Sequence, residues 1–142
     1  MGGLKTEQDI PDSDHVLRYC KPSNIVDGEP SPGAFATRAG EQSLSVNWLE
    51  FFGKETPTVR QIEKVQKAMG AKLALKPSGK FAKINAGSAR ENIDDLAIKH
   101  LPTPKNRSHA GIFYPNGDNE ETALELANMV KPEDIFPVTH QK

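Results

Sequence analysis

The sequence predicts a two-layer α+β domain, in which about three helices pack mainly on one face of a small mixed sheet that includes a hairpin. Two observations lead to this prediction. Apolar residues recur at helical spacing in some segments and alternate as in a strand in others. The helical segments alternate with strands and a hairpin, an order typical of helices stacked on one sheet. A chain of 142 residues is the size of a single domain.

The N-terminal part of the chain predicts a tail, a strand and a long loop. Residues 1–14 are polar and acidic, so we expect a disordered tail that precedes one domain over residues 15–142. The letters HVLRYC (His15–Cys20) predict the first strand. Three prolines and three glycines fall within residues 21–42, which predicts a long connection with at most a short strand at AFATR.

The segment SLSVNWLEFFG predicts a strand that turns into a short helix. The letters LSV alternate as in a strand, and Asn47 is a candidate N-cap with Glu50 three residues later. On this interpretation a helix covers residues 48–52. On the competing interpretation the strand continues through Trp48.

The clearest helix begins at Pro57 and ends before Gly70. Its apolar residues share one face: Val59, Ile62, Val65 and Met69. After it, AKLAL and KFAKIN flank KPSGK, which predicts a hairpin. SARE predicts a capping box of Ser88 and Glu91 at the start of a helix that includes Ile93, Leu96 and Ala97 and ends before LPTPKN. HAGIFY, EETALELANMV and DIFPV then predict a strand, a helix and a last edge strand.

Positive charge is concentrated in the middle of the chain, although the formal net charge is only −1. Residues 54–90 carry nine basic and two acidic residues, whereas residues 1–53 and 91–142 each have a net charge of −4. On the helix that begins at Pro57, Arg60, Lys64 and Lys67 lie within about 60° of one another and opposite the apolar face.

We expect this charge to bind an anionic partner, either a nucleic acid or an acidic protein. The predicted anion-binding residues are Arg60, Lys64, Lys67, Lys72, Lys76, Lys80 and Lys83. The competing interpretation is an ordinary solvated helix face and a hairpin whose lysines protect an edge strand. Two features of residues 54–90 count against nucleic acid. The segment has only two arginines, which are the better phosphate ligands, and Phe81 is its only aromatic residue on which a base could stack.

A small enzyme is the second interpretation, although the sequence favours a binding protein over an enzyme. No catalytic residue is assigned, but five are candidates: His15, Arg18, Ser45, Glu50 and His109. The expected pocket lies between the loop of residues 21–42 and the strand that begins at His109. Cys20 between Arg18 and Lys21 is either a buried, inert thiol or a reactive thiolate.

Part of this candidate set is similar in order to that of ADP-ribosyltransferases, which have a His or Arg on a first strand, a small hydroxyl residue on a later strand, and then a Glu. The resemblance implies roles for His15 or Arg18, for Ser45 and for Glu50. A third interpretation is an antitoxin- or immunity-like partner protein that uses the acidic tail of residues 7–14.

The sequence predicts no metal, no cofactor and no membrane association. The four histidines are far apart, with no His-x-x-x-His or Cys-x-x-Cys pair. No apolar run approaches the roughly 20 residues that a membrane helix needs. The polar N-terminus is unlike a signal peptide, and a single cysteine excludes an internal disulfide, so we expect a cytoplasmic protein.

Two stretches, LSVNWLE and SHAGI, resemble those of a family of short bacterial proteins with no known activity. The resemblance extends over residues 15–138. It implies a bacterial cytosolic protein and assigns no catalytic residue.

Overall fold

The computed structural model describes residues 8–37, 41–69, 78–115 and 119–138. The strands are β1 (His15–Cys20), β2 (Ile25–Val26), β3 (Glu29–Pro30), β4 (Leu44–Trp48), β5 (Lys80–Asn85), β6 (Ala97–His100), β7 (His109–Phe113) and β8 (Ile135–Pro137). Six of them form one sheet in the order β6-β7-β4-β1-β5-β8, and β2 pairs with β3 in a separate hairpin. The described pairs in both sheets are antiparallel, so the predicted α+β class is confirmed but the sheet is antiparallel rather than mixed.

The helices among the described residues are α1 (Thr58–Met69), α2 (Ala86–Asn92) and α3 (Asn119–Met129). Short 3₁₀ turns occupy Pro22–Asn24, Pro32–Phe35, Leu49–Phe52 and Pro132–Asp134. None of the helices in the described ranges is long and apolar enough to cross a membrane.

Helices cover both faces of the sheet. Successive residues of a strand point to opposite faces, and β1 carries apolar residues on each of them. Val16 of β1 belongs to the larger core, which α2, α3 and the Pro32–Phe35 turn cover. Leu17, the next residue, belongs to a smaller core under α1. Two of the three helices therefore share one face, as predicted, but α1 lies on the other face and adds a third layer over β1 and β5.

The described part of the N-terminal segment is packed on the domain, which corrects the prediction of a disordered tail over residues 1–14. Ile10 is fully buried, and its backbone amide donates to Ile98 of β6 at 3.0 Å. The amide of His100 donates to the Gln8 carbonyl at 2.8 Å. Residues 8–10 thus cover the outer edge of β6, whereas residues 1–7 lie outside the described residues.

Several local predictions in the middle of the chain were wrong. The side chain of Asn85, not Ser88, caps α2, since it accepts the Ser88 amide at 2.8 Å. Residues 97–100, expected in a helix, form β6 because they pair with β7. The AFATR stretch begins in a 3₁₀ turn and not in a strand. Of the predicted hairpin, KFAKIN forms β5, while AKLAL lies outside the described ranges.

The smaller core depends on Phe81, which is fully buried on β5 between Tyr19 and α1. We expect Phe81→Ala to lower the free energy of unfolding by about 3–5 kcal/mol, because a large ring is lost and a cavity remains. Urea denaturation measures this change. The matched control is Val59→Ala on α1, where the side chain is 57% exposed and the expected change is below about 0.5 kcal/mol. Equal losses in the two variants would contradict the prediction.

Candidate functional site

A cleft opens where β1 and β4 separate within the sheet. Their pairing covers only Val16 with Trp48 and Leu17 with Asn47, although both strands continue beyond these pairs. β1 remains paired with β5 as far as Cys20, and β4 remains paired with β7 as far as Leu44. Each strand thus keeps an outer partner, and the two move apart without losing their place in the sheet.

The side chain of Arg18 spans this gap. Its Nη1 donates to the Ser45 carbonyl of β4 at 2.9 Å, and its Nε donates to the Ala34 carbonyl at 2.8 Å. One guanidinium therefore joins β1, β4 and the Pro32–Phe35 turn. Hydrogen bonds from a charged donor are stronger than neutral ones, so this contact fixes the loop of residues 21–37 against the sheet.

The cleft has a volume of about 470 Å³ and a mixed lining. Its charged side chains are those of Arg18, Lys21 and Glu41, so the lining carries one net positive charge when His109 is neutral. Its other polar residues are Asn24, Ser45, Asn47, Asn106 and His109, and its apolar residues are Leu17, Tyr19, Ala36, Val46 and Met69. Such a lining suits an organic ligand with both polar and apolar parts.

Ser45 and His109 contact each other in the cleft. The Nε2 atom of His109 lies 3.3 Å from Ser45 Oγ, and its Nδ1 atom lies 2.9 Å from the Leu101 carbonyl oxygen. Ser45 is exposed and His109 is partly exposed. Arg18, Ser45 and His109 therefore line one cleft.

A buried amide network holds the start of β7 next to β4. Asn47 Nδ2 donates to Asn106 Oδ1 at 2.7 Å and to Ser108 Oγ at 2.6 Å. The Trp48 amide donates to the Ser108 carbonyl at 2.7 Å. Asn47 is thus a buried residue that positions the His109 strand, which corrects its prediction as an N-cap.

The set implied by the resemblance to ADP-ribosyltransferases is not brought together. Glu50 accepts from the His15 amide at 2.7 Å, and its other oxygen lies 2.6 Å from His15 Nδ1. Neither residue lines the cleft that contains Arg18 and Ser45. Glu50 therefore anchors the start of β1 and does not cap a helix.

The predicted anion-binding residues are divided among several places. Arg60, Lys64 and Lys67 are exposed on α1, and Arg60 is 3.2 Å from Glu63. Lys83 Nζ lies 5.7 Å from the centre of the Phe136 ring. Lys80 points to the opposite face from Lys83, because the two are three positions apart along β5 and successive residues alternate between faces. Lys72 and Lys76 lie outside the described residues, so the described part of the predicted surface consists of the α1 face, Lys80 and Lys83.

The acidic helix α3 does not cover that face. α3 contributes Ala123 and Leu126 to the larger core, whereas α1 contributes Ile62 and Val65 to the smaller core on the other side of the sheet. Within the described ranges, Lys64 and Lys67 have no ion-pair partner. The lysines of α1 are therefore not neutralised by α3.

The acidic residues before β1 are paired within the domain. Asp9 lies 3.6 Å from Lys99, Asp12 lies 2.6 Å from Arg90, and Asp14 lies 3.4 Å from Lys54. Asp14 is 1% exposed and also accepts the Trp48 indole N–H at 2.9 Å. These contacts weaken the antitoxin- or immunity-like interpretation, since the described carboxylates of the tail already have partners.

Burial suppresses the acidity of two groups beside Arg18. It raises the pKa of the Cys20 thiol from 9.0 to about 12, and the nearby charge of Arg18 offsets this only in part. Burial also raises the pKa of the Tyr114 phenol; the charge of Arg18 opposes this rise and that of Glu41 adds to it. The Tyr114 hydroxyl donates to the Phe35 carbonyl. Cys20 is thus the buried, inert thiol of the two alternatives, and not a nucleophile at neutral pH.

No group of three or more His, Cys, Asp or Glu side chains that could hold a metal ion occurs in the part of the chain that the structure describes. No protein-family model matches this chain, no curated protein matches its sequence, and no solved structure matches it.

The sequence did not identify Lys21, Glu41 and Asn106 as residues of the cleft. These three residues line it only because β1 and β4 separate there, which no local pattern predicts. A usable signal was present, since LSVNWLE and SHAGI turn out to be the neighbouring strands β4 and β7. Polar residues on two such stretches meet when the strands pair.

We expect Arg18→Lys to loosen the loop of residues 21–37. An ammonium group on a shorter, non-planar side chain does not reproduce the two directed contacts to Ala34 and Ser45. The expected loss is about 2 kcal/mol in the free energy of unfolding, measured with urea, together with faster proteolysis of the loop. Arg107→Lys, at an exposed position, is the control, and equal protease resistance in both variants would argue against this role of Arg18.

The raised pKa of Cys20 predicts a stability change at alkaline pH. Above pH 9 the unfolded thiol loses its proton while the folded thiol keeps it, so deprotonation favours unfolding by about 1.4 kcal/mol per pH unit up to about pH 12. Tyr114 acts in the same direction and remains in a Cys20→Ala variant. We therefore expect the free energy of unfolding to fall less steeply between pH 9 and 11 in Cys20→Ala than in the wild type. Parallel curves would show that the thiol does not contribute.

Proposed function

We propose that this protein binds a small organic anion in the cleft between β1 and β4. The observation that supports the proposal is the separation of these strands around Arg18, which leaves about 470 Å³ inside an otherwise paired sheet. Small-molecule sites usually measure roughly 300–1,000 Å³, so the cleft suits a ligand of about nucleotide size or smaller.

The charge and shape of the lining support an anion in particular. Arg18 and Lys21 outnumber the single carboxylate of Glu41. Across the described residues Lys21 has no ion-pair partner, so its charge is available to a ligand. The Tyr19 ring packs edge-on against Phe81, with 5.8 Å between the ring centres, and offers a fixed apolar wall for the uncharged part of the ligand.

An anionic macromolecule on α1 is a second candidate function. Lys64 and Lys67 support it, because both are exposed and lie on the opposite side of the sheet from the acidic helix α3. The partner would be a nucleic acid or an acidic protein, held by charge without base-specific contacts. For either function we place the protein in the bacterial cytoplasm, in keeping with its single, buried cysteine.

The first experiment separates the cleft from the α1 face. Nucleoside monophosphates, sugar phosphates and dicarboxylic acids are titrated into the wild type by calorimetry. We expect at least one of these classes to bind, and Lys21→Glu to weaken it about 10- to 100-fold, as for loss of a charged hydrogen bond. The matched control is the double variant Lys64→Glu/Lys67→Glu, which should bind within about twofold of the wild type.

The second candidate predicts the reverse pattern. A salt-dependent gel-shift assay with mixed DNA and RNA would show binding that the Lys64→Glu/Lys67→Glu variant loses and Lys21→Glu retains. Absence of binding by every anion class, with the wild type folded, would refute the cleft proposal. Equal affinities for the wild type and Lys21→Glu would also refute it.

A further inference from the structure

Two neighbouring strands place a hydroxyl and an imidazole together at the cleft. Ser45 on β4 pairs in register with Gly111, and His109 is two residues before Gly111 on β7. The absence of a side chain on Gly111 matters here, because a Cβ atom at this position would lie 2.6 Å from Ser43 Oγ and 2.8 Å from Leu101 Cδ1. Gly111 thus leaves room for the side chains of Ser43 and Leu101 beside it, and on the two paired strands Ser45 Oγ and His109 Nε2 lie 3.3 Å apart.

The surroundings of His109 determine which ring nitrogen accepts a proton. A carbonyl oxygen can only accept, so the 2.9 Å contact with Leu101 requires a hydrogen on Nδ1. In the neutral ring Nε2 is then the unprotonated nitrogen, and it faces the hydroxyl of Ser45. A nucleophile beside a base, with the base oriented by a third group, is the arrangement that activates a serine.

We propose that Ser45 is a nucleophile and His109 its general base, and that the pair hydrolyses a carboxyl ester that carries a negative charge. This inference rests on the proposed function, since the charges of Arg18 and Lys21 that hold the ligand also select the anionic ester. Arg18 contacts the carbonyl of Ser45 itself at 2.9 Å. Its positive charge therefore lies beside the residue that carries the nucleophile, where it attracts a negatively charged ester.

The chemistry balances with water as the only co-reactant. Ser45 Oγ forms a bond to the ester carbon, its proton moves to His109 Nε2, and the carbonyl oxygen takes the electron pair. Collapse of this intermediate breaks the bond to the alcohol, which leaves with the proton from His109. Water then attacks the acyl-serine, gives its proton to His109, and releases the carboxylic acid while Ser45 recovers its hydrogen.

The test uses the full chain and two probes. A fluorophosphonate reacts covalently with an activated serine, and intact-mass and peptide analysis locate the label. Hydrolysis of 4-nitrophenyl hemisuccinate is compared with that of the neutral 4-nitrophenyl acetate. The variants are Ser45→Ala, which removes the nucleophile, and His109→Gln, whose amide can still donate to the Leu101 carbonyl but cannot act as a base. Ser43→Ala is the control hydroxyl on the same segment.

We expect label on Ser45 in the wild type and in Ser43→Ala, none in Ser45→Ala, and labelling at least about 100-fold slower in His109→Gln. Hydrolysis should follow the same order and favour the anionic ester. Label on another residue, or equal labelling of wild type and Ser45→Ala, would overturn the proposal. Failure of labelling and hydrolysis in a wild type that still binds an anion through Lys21 would also overturn it, and would leave the cleft as a binding site only.

Discussion

The guanidinium of Arg18 is the contact on which the shape of this protein depends. Within a sheet, two strands that stop pairing leave backbone groups without ladder partners, and such groups are costly when they are buried. Arg18 supplies a charged donor to Ser45 at that point and a second one to Ala34. The gap between β1 and β4 is therefore a fixed feature of the sheet, and the loop that lines it is held at a defined distance.

The local periodicity of the sequence was enough to predict the elements that have a strong pattern of their own. β1, α1, β7, α3 and β8 lie where the sequence predicts them, because each carries its own strand or helix pattern. β6 has only four residues and is a strand because β7 lies beside it, which is a long-range effect. For the same reason Ile10 was assigned to a tail, although its burial depends on an edge about 90 residues further along the chain.

The functional candidates were predicted by residue type and only partly by position. Arg18, Ser45 and His109 were chosen because their side chains carry chemistry, and the cleft brings all three together. His15 and Glu50 were chosen for the same reason, but they contact each other at the start of β1, outside the cleft. No local pattern distinguishes these two outcomes, because both depend on where the strands cease to pair.

The N-terminal segment has a consequence for how the molecule behaves in solution. β6 is an edge strand of the sheet, and its unpaired backbone amides and carbonyls would otherwise be able to pair with a strand from another molecule. Gln8 and Ile10 form main-chain hydrogen bonds along that edge, and Asp9 forms an ion pair with Lys99 of β6. The N-terminal segment thus protects this edge from pairing with another molecule. We expect a chain shortened to begin at His15 to polymerise through the exposed edge of β6.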